Sequence, residues 1–395
     1  MLNNTINKVE LNKMESEMQK VIFKKIYNFQ KKSKVKAGDG FKIKVGKYPF
    51  YTSSNVLTKS LNEFLFDEES LIFGTGGLAS IHYCNEKFAV STDCFVTQPK
   101  DKKEVFTKYV YYFLSGNMHI LENGFKGAGL KHISKDYLEN IEIPLPPLQT
   151  QQKIAAILDK ADESRQYNKQ LIEKYEDLTQ ILFLDMFGDP FRNEKGWEVK
   201  NLKSGIIKLQ SGLSLSGEER QIKDEEIAVL KISAITTGVF INTEYKVVDK
   251  NEINKVLIHP KKGDLLFSRA NTKEKVGAVA IVDKDYHNLF IPDKLWRIDT
   301  NHTLNKTFLK FLLSHSGFRH NIEKEATGTS GSMVNISMPK LLKIEAPLPP
   351  INLQNLFAER VQAIELQKQQ AQEALQKSEQ LFQSLLQLAF KGELN

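Results

Sequence analysis

Two segments of the chain have the length and polarity pattern of long amphipathic helices. After Pro147 and Pro350, about 40 residues follow without another proline or glycine, until Gly188 and Gly392. Proline ends a preceding element and fixes an extended entry. Each segment is therefore predicted to form one continuous helix, roughly 55 Å long at 1.5 Å per residue.

Apolar positions in both segments can be arranged in heptads whose a and d residues face a partner helix. The predicted packing positions are Ile154, Ile157, Leu171, Tyr175, Leu178 and Leu182 in the first segment, and Phe357, Ile364, Leu381, Leu385 and Leu388 in the second. A helix with one apolar stripe must bury it, so two such helices predict an intramolecular, antiparallel coiled coil. The alternative, a solvated charged helix, conflicts with the apolar character of residues 175–187.

The rest of the sequence alternates short β-like runs with turns rich in glycine, asparagine and lysine. Strands are predicted at residues 71–73, 88–90, 265–267 and 278–282, and one helix in each half, at 106–114 and 308–313. This mixture predicts an α+β fold, with two similar mixed α/β domains separated by the two long helices. The predicted boundaries are 1–148 for the first domain, 149–187 for the central helix, 188–352 for the second domain and 353–395 for the distal helix.

Both long segments begin inside a passage that the chain contains twice. His132–Phe187 aligns without a gap with Asn335–Phe390, and the run Pro-Leu-Pro-Pro occurs in both, at 144–147 and 347–350. Solenoid repeats have periods of roughly 20 to 50 residues, much shorter than the separation of these two copies. The repeat therefore indicates two similar halves, each a globular unit followed by the same connector.

Length and composition agree with a two-domain protein. A chain of 395 residues exceeds the size of a single growing core, and 41% hydrophobic residues is ordinary for a packed protein. Its apolar runs are too short to span a bilayer, so a cytoplasmic location is expected.

Cys84 and Cys94 form no CxxC pair, and we interpret them as reduced core residues. The alternative is a metal site with His82 and Asp93.

The net charge of +7 is mild, but its distribution is uneven. Residues 20–36 contain seven lysines and no acid, interleaved with aromatic residues. Two interpretations carry equal weight. The segment is an amphipathic helix whose lysine stems cover an apolar face, or it contacts an anionic partner such as phosphate, and both can hold at once.

Known catalytic motifs are missing from the sequence. Neither the P-loop, G-x-S-x-G nor H-E-x-x-H occurs, and the tetrapeptide with which adenine methyltransferases hold a flipped base is also missing. The glycine-rich stretch 74–77 lacks the P-loop lysine and is interpreted as a turn. We therefore predict that this chain is not itself an enzyme.

Polar loops occupy matching places in the two halves, and these loops are the predicted DNA-reading edges. Glycine lets a backbone approach another surface closely, while Arg, Asn, Lys, Ser and Thr are the residues that read base edges and hold phosphates. The first-half candidates are Ser53, Ser54, Asn55, Thr75, Gly76, Gly77, Ser80, Lys126, Lys131 and His132. The second-half candidates are Ser268, Arg269, Asn271, Thr272, Lys273, Lys275, Thr327, Thr329 and Ser332. For any one of them a solvated turn is an equal interpretation, and only the pairing of loops supports the group.

The doubled Pro-Leu-Pro-Pro run resembles the DNA-specificity subunit of type I restriction-modification enzymes. Each copy follows a strand-like run, at 141–143 and 344–346, and directly precedes a long helix. The stretches 47–55, 72–77 and 196–200 support the resemblance. The resemblance implies two target recognition domains, each reading one half of a split DNA sequence, with the helices as the spacer between them.

The same resemblance implies partners. Two methyltransferase subunits are expected to dock near the helices and to methylate adenine at N6 with S-adenosylmethionine. Restriction subunits, which use ATP and Mg²⁺, are expected to cut unmodified DNA. The family usually has a glutamate before the glutamine that follows the proline run, whereas this chain has Thr150 and Leu353. No cofactor and no metal is expected in this chain.

Two other functions stay open from the sequence. One is a coiled-coil scaffold that joins proteins and binds no DNA, for which no salt-dependent DNA affinity is expected. The other is a stand-alone nuclease or methyltransferase with an unrecognised site. Either would share the composition and the repeat described above.

Overall fold

The two longest elements of the computed structural model, which describes residues 19–328 and 333–394, are helices. Helix α5 spans Leu148–Phe187 and helix α9 spans Ile351–Lys391. Each is followed by a glycine with positive φ, +75° at Gly188 and +77° at Gly392. This left-handed conformation is common just past helix ends, where it satisfies the last carbonyl groups. With 40 residues, α5 is about 60 Å long.

The chain forms two compact units, and each long helix contributes to both. The first unit contains the described residues up to Gln170 together with those from Ala371 onward, and the second contains Leu171–Gln370. Each unit therefore combines one mixed α/β domain with the beginning of one long helix and the end of the other.

The first unit contains twelve described strands and four short helices besides its parts of α5 and α9. The strands are β1 Lys20–Ile22, β2 Tyr27–Phe29, β3 Phe41–Lys42, β4 Tyr48–Tyr51, β5 Lys59–Leu61, β6 Ser70–Gly74, β7 Ile81–Cys84, β8 Ala89–Val90, β9 Cys94–Pro99, β10 Phe125–Lys126, β11 His132–Ile133 and β12 Glu142–Pro144. The helices are α1 Phe23–Ile26, α2 Thr107–Gly116, α3 Met118–Glu122 and α4 Lys135–Glu139.

The second unit repeats this content with small variations. Its described strands are β13 Val199–Asn201, β14 Ile206–Ser211, β15 Ile227–Leu230, β16 Tyr245–Val248, β17 Leu265–Ser268, β18 Ala270–Asn271, β19 Val279–Ile281, β20 Leu289–Phe290, β21 Leu295–Thr300, β22 Val334–Asn335 and β23 Glu345–Pro347. Its short helices are α6 Lys306–Ser314, α7 Ser316–Glu325 and α8 Met338–Lys343.

The main sheets of the two units correspond strand by strand, whereas the smaller sheet has four strands in the first unit and three in the second. The main sheet has the order β2-β9-β6-β7 in the first unit and β14-β21-β17-β19 in the second. The smaller sheets, β3-β5-β4-β8 and β16-β15-β20, each contain one parallel pair, β4 with β8 and β15 with β20. In addition, β12 pairs with β1 and β23 pairs with β13, directly before the long helices. The similarity predicted from the repeat therefore extends over both domains.

Each domain core is completed by the last turns of a long helix. The ring of Phe390, near the end of α9, lies 5.7 Å from the ring of Tyr109 on α2. In the second unit the ring of Phe187, at the end of α5, lies 4.9 Å from that of Phe308 on α6. Phe187 and Phe390 are the same residue of the repeat. Aromatic pairs at such distances add stabilisation beyond their buried area.

The two long helices pair in antiparallel fashion within each unit. In the first unit the guanidinium of Arg165 lies 4.2 Å from the ring centre of Phe382, and Lys169 forms a 3.6 Å ion pair with Glu379. Higher numbers on α5 thus meet lower numbers on α9. In the second unit the same order holds, because Glu176 pairs with Lys368 at 2.8 Å while Phe187 contacts Phe357, farther along α5 and earlier on α9.

The position of the seam differs from the predicted heptads. Ile154 and Phe357 are buried, and Ile157, Leu171, Tyr175, Leu182, Ile364 and Leu385 are half-buried. Leu178, Leu381 and Leu388 are instead exposed, at 43%, 55% and 39%, so their predicted place in the seam is wrong. Residues one position later, among them Leu158, Thr179, Phe183, Phe382, Leu386 and Ala389, are buried instead.

The physical reason is the difference between 3.6 and 3.5 residues per turn. A strict heptad drifts around a straight α-helix by about 20° per repeat, so a seam fixed at Ile154 moves off the predicted side farther along the helix. Phe183 also packs against Phe308 and Phe311 of α6. Because the helix ends face a domain as well as the partner helix, their buried face is displaced toward that domain.

The helix considered for residues 20–36 does not form. The segment contains β1, the four-residue helix α1 and β2, followed by an irregular stretch from residue 30 to residue 36. Strand pairing explains the difference, because β1 pairs with β12 and β2 pairs with β9. Its lysines after β2 are largely exposed.

Candidate nucleic-acid interface

The two predicted reading loops of the first domain lie side by side. The backbone N–H of Thr75 donates to the carbonyl of Asp93 (2.9 Å), and its carbonyl accepts from the N–H of Ile133 (3.1 Å). The N–H of Gly77 donates to the carbonyl of Lys131 (3.2 Å). Loop 74–80 and loop 126–132 are therefore joined by backbone hydrogen bonds.

The second domain joins its two loops at the same place. The N–H of Arg269 donates to the carbonyl of Lys294 (3.1 Å), and its carbonyl accepts from the N–H of Ile336 (2.9 Å). Strands β18 and β22 continue this contact. Because Ile133 and Ile336 are the same residue of the repeat, Thr75 and Arg269 occupy equivalent backbone positions. We call each joined pair of loops a platform.

A third loop packs on the first platform. The hydroxyl of Ser80 donates to the carbonyl of Ser53 (3.1 Å), and Nε2 of His82 lies 2.8 Å from the carbonyl of Ser54. A Cβ atom at Gly74 would lie only 2.9 Å from Cα of Ser53, so this close approach needs glycine. Loop 52–55 is thereby held against loop 74–80.

Exposure divides the predicted first-domain residues into two groups. Ser54, Asn55, Gly77, Lys126, Lys131 and His132 are exposed, and Ser53 and Gly76 are half-buried. Thr75 and Ser80 are only 8% and 3% exposed. Both side chains lie beneath the loop surface, where the Ser80 hydroxyl bonds the carbonyl of Ser53, and their DNA contacts stay predictions.

The second domain shows the same division. Thr272, Lys273, Lys275 and Thr327 are exposed, and Arg269 and Asn271 are half-buried. Ser268 is fully buried, and its hydroxyl lies within hydrogen-bond distance of the carbonyl of Ala270; its DNA contact stays a prediction. The predicted residues Thr329 and Ser332 lie outside the described part of the chain.

The side chain of Arg269 is held by an ion pair with Asp293. Its Nε donates to the carbonyl of Asp293 (2.8 Å), and its Nη2 lies 3.3 Å from Oδ2 of the same residue. The hydroxyl of Ser214 donates to the carboxylate of Asp293 and accepts a hydrogen bond from the backbone N–H of Asp293. The guanidinium is thus oriented by Asp293, which is itself held by Ser214.

Sequence reasoning missed Asp293 and Ser214 as partners of Arg269. They lie 24 and 55 residues from it in sequence, by the difference of their numbers, and only the order of β14, β21 and β17 brings them together. No local motif would have indicated this cluster.

The exposed lysines after β2 adjoin the first platform. The N–H of Thr92 donates to the carbonyl of Val35 (2.8 Å), and Thr92 precedes Asp93, which contacts Thr75. Lys31, Lys32, Lys34 and Lys36 are exposed along this stretch. In the second domain the corresponding stretch after β14 carries Ser214, which contacts Asp293. The first platform is therefore bordered by positive charge where the second is bordered by a hydroxyl.

No metal or membrane feature is found in residues 19–328 and 333–394. Those residues contain no group of three or more His, Cys, Asp and Glu side chains placed to hold a metal ion. None of their helices combines the length and apolar character that crossing a membrane requires. Cys84 and Cys94 are both buried as free thiols, and burial raises the pKa of the Cys94 thiol to about 12.

Comparison with known families agrees with the duplicated architecture. Residues 15–176 and 194–379 each match the family described as type I restriction modification DNA specificity domain. The chain belongs to this family. Each matched segment contains one domain with its platform and most of the following long helix.

Relatives of this family resemble the chain over most of its length. It is 25% identical over 371 residues to the type I restriction enzyme MjaVIII specificity subunit of Methanocaldococcus jannaschii, covering 86% of this chain and 85% of the relative. It is also 25% identical over 323 residues to the EcoKI specificity subunit of Escherichia coli K12, covering 76% of this chain and 68% of the relative.

Solved structures share the fold. The crystal structure of the type I restriction-modification S subunit from M. genitalium matches with a TM-score of 0.61 at 15% identity, covering 94% of this chain and 95% of that one. A chain from a structure titled for complex assembly and conformational transition of the type I R-M system matches with a TM-score of 0.52, also at 15% identity, covering 95% and 98%. At such low identity the agreement concerns the fold alone.

Proposed function

We propose that this chain is the specificity subunit of a type I restriction-modification complex and reads a bipartite DNA target, one half with each platform. The observation that carries the proposal is the duplicated platform. The same backbone hydrogen bonds recur in both domains, while different side chains stand at equivalent positions. A duplicated frame with divergent side chains fits the recognition of two different half-sites on one duplex.

Charge and geometry support DNA as the ligand. Exposed Lys31, Lys32, Lys34 and Lys36 border the first platform, and lysine is a common phosphate contact. In the second platform, Arg269 keeps guanidinium donors available, and arginine is the usual partner of guanine O6 and N7 in the major groove. Phosphate contacts and base contacts would thus be supplied by different residues.

The proposal assigns the reactions to partner subunits. Methyltransferase subunits would bring S-adenosylmethionine and methylate adenine at N6, and restriction subunits would bring ATP-driven translocation and Mg²⁺-dependent cleavage. The exposed apolar residues Leu178, Ile181 and Leu184 of α5 support a docking role for the helix, since exposed apolar groups on one helix mark protein contacts. The chain itself would be non-catalytic and act as a reader.

Methylation mapping tests the proposal directly. The chain is co-expressed with a candidate type I methyltransferase subunit, and methylated adenines are sequenced across the host genome. We expect one bipartite motif with a fixed gap, which disappears when either protein is omitted. Random methylation, or none, would contradict the proposal. Absence of salt-dependent DNA binding would favour the scaffold function, and turnover by the lone chain with DNA, S-adenosylmethionine and Mg²⁺ would favour the stand-alone enzyme.

A further inference from the structure

A buried glutamine in the first turns of each long helix makes the same set of hydrogen bonds in both units. In the first unit, Oε1 of Gln151 accepts from the N–H of Phe106 (2.8 Å). Its Nε2 donates to the carbonyls of Glu104 (2.9 Å) and Pro146 (2.8 Å). Gln151 is fully buried. Its side-chain amide therefore joins the start of the helix, the short segment between β12 and the helix, and the loop before α2.

Gln354 repeats this arrangement in the second unit. Its Oε1 accepts from the N–H of Asn305 (2.9 Å), and its Nε2 donates to the carbonyls of Thr303 (3.2 Å) and Pro349 (2.8 Å). Gln354 is likewise fully buried and is the counterpart of Gln151 in the repeat. The pattern of one accepted and two donated hydrogen bonds to three backbone groups is identical.

Only an amide of this length can make these three bonds. Glutamine offers one carbonyl acceptor and two N–H donors on a three-atom stem, and every bonded partner is a backbone group. Buried backbone groups need a partner, because leaving them unpaired in the protein interior is costly. A carboxylate in the same place would face two carbonyl oxygens without a proton to donate.

We infer that Gln151 and Gln354 are positioning residues that fix the orientation of each reading domain on its own helix and thereby set the gap between the two half-sites. The inference rests on the proposed function. A domain of about 150 residues has a radius of gyration near 15 Å. A rotation of roughly 13° at such a joint moves a point at that radius by about 3.4 Å, the rise of one base pair. A fixed gap therefore needs a joint that does not rotate.

The test compares the gap specificity of variants in the complex with the partner methyltransferase. Gln151→Met and Gln354→Met keep the side-chain length but remove all three hydrogen bonds. Gln151→Glu and Gln354→Glu keep the acceptor for Phe106 or Asn305 and lose the donors, which provides a second pair if the methionine variants fail to fold. Gln152→Met and Asn352→Met, at exposed neighbouring positions, are the matched controls.

Each complex is given DNA targets in which both half-sites are kept and the gap is lengthened or shortened by one base pair. A misplacement on this scale costs up to about 100-fold in rate, and we expect that loss for wild type and controls. The Gln variants should methylate the altered gaps within about tenfold of the parental target, with unchanged base preference in both half-sites. Hydrogen exchange at the amides of Phe106 and Asn305 should accelerate in the corresponding variant.

Two results would overturn the inference. One is an unchanged gap preference in variants whose Phe106 or Asn305 amide exchanges faster. The other is a changed base preference in one half-site while the gap stays fixed, which would make the glutamine a support of the platform. A wild-type complex that selects no bipartite target would refute the proposed function, and the inference with it, and this outcome is visible before any variant is made.

Discussion

The two platforms have the same backbone and different side chains, and this difference separates framework from recognition. Thr75 and Arg269 make equivalent backbone hydrogen bonds, to Asp93 and Ile133 in one domain and to Lys294 and Ile336 in the other. Thr75 is a small, buried residue, whereas Arg269 is a half-buried cation paired with Asp293. The same backbone bonds thus accommodate both a small buried side chain and a half-buried cation, so the two halves can read different bases.

The largest effect is expected where a long helix completes a domain. Phe183 of α5 is 1% exposed and its ring lies 5.9 Å from that of Phe308 and 6.0 Å from that of Phe311. Phe183→Ala should lower the unfolding free energy of the second unit by about 3–5 kcal/mol, through lost contacts and a cavity. Its counterpart in the repeat, Leu386, lies in the first unit, and Leu386→Ala should destabilise that unit by about 2–5 kcal/mol.

Hydrogen exchange followed by mass spectrometry distinguishes the two variants, since it shows which unit opens. Leu178→Ala is the control, because Leu178 is exposed and its removal should change stability by less than about 0.5 kcal/mol. Equal opening of both units in both variants would show that the helix ends do not belong to separate cores.

Arg269→Ala should give the next largest effect and should act on one half-site only. A guanine contact by arginine contributes about 1–3 kcal/mol, so affinity for the second half-site should fall by roughly 5- to 150-fold while base preference in the first half-site stays unchanged. Binding to a library with both half-sites randomised measures this. Lys273→Ala, at an exposed position of the same loop, is the control and should weaken all sequences alike. Equal loss at both half-sites in Arg269→Ala would assign Arg269 to phosphate.

The repeat made the duplicated fold predictable from the sequence, whereas the burial and side-chain contacts of the platforms could be found only in the structure. The Pro-Leu-Pro-Pro runs and the proline-free segments indicated two domains and two long helices, because local signals mark where helices start and stop. Whether Leu178 and Leu381 face the partner helix depends on how the heptad pattern drifts around each helix and on the domain packed beside that helix. Neither is a local property of the sequence. The burial of Thr75 and Ser268, and the pair between Arg269 and Asp293, arise from strand order over tens of residues.

Asp293→Asn tests how much of the second platform's selectivity depends on holding Arg269. The substitution keeps an oxygen for Arg269 and Ser214 but removes the charge, and a partly exposed ion pair contributes up to about 1 kcal/mol. Discrimination between correct and incorrect second half-sites should fall about fivefold, and affinity for random DNA should rise because a negative charge is lost. First half-site discrimination serves as the internal control. Unchanged discrimination at both half-sites would show that Arg269 does not need this orientation.

The smallest effect on stability is expected at a position that carries a charged residue in the second unit and an uncharged one in the first. Counting from the backbone groups that bond the two glutamines, Phe106 and Asn305, Lys310 on α6 corresponds to Tyr111 on α2. Burial lowers the pKa of Lys310, Glu365 raises it and Lys368 lowers it further, with burial the largest cause. The folded state therefore binds the lysine proton less tightly than the unfolded state, and protonation at neutral pH opposes folding of the second unit.

Lys310→Met should accordingly stabilise the second unit at pH 7, by at most about 1 kcal/mol, a magnitude near the centre of the range for single substitutions. The sign follows from the lowered pKa: the wild-type penalty is fully present below the folded-state pKa and disappears as pH rises toward 10.5, the ordinary lysine value. The stability difference between variant and wild type should therefore shrink from pH 7 to pH 10. Denaturant unfolding at several pH values measures it, with Tyr111→Phe as the control in the first unit. A difference that grows with pH would mean that Lys310 is stabilised as a cation by Glu365, and the two units would then be alike in tolerating charge at this position.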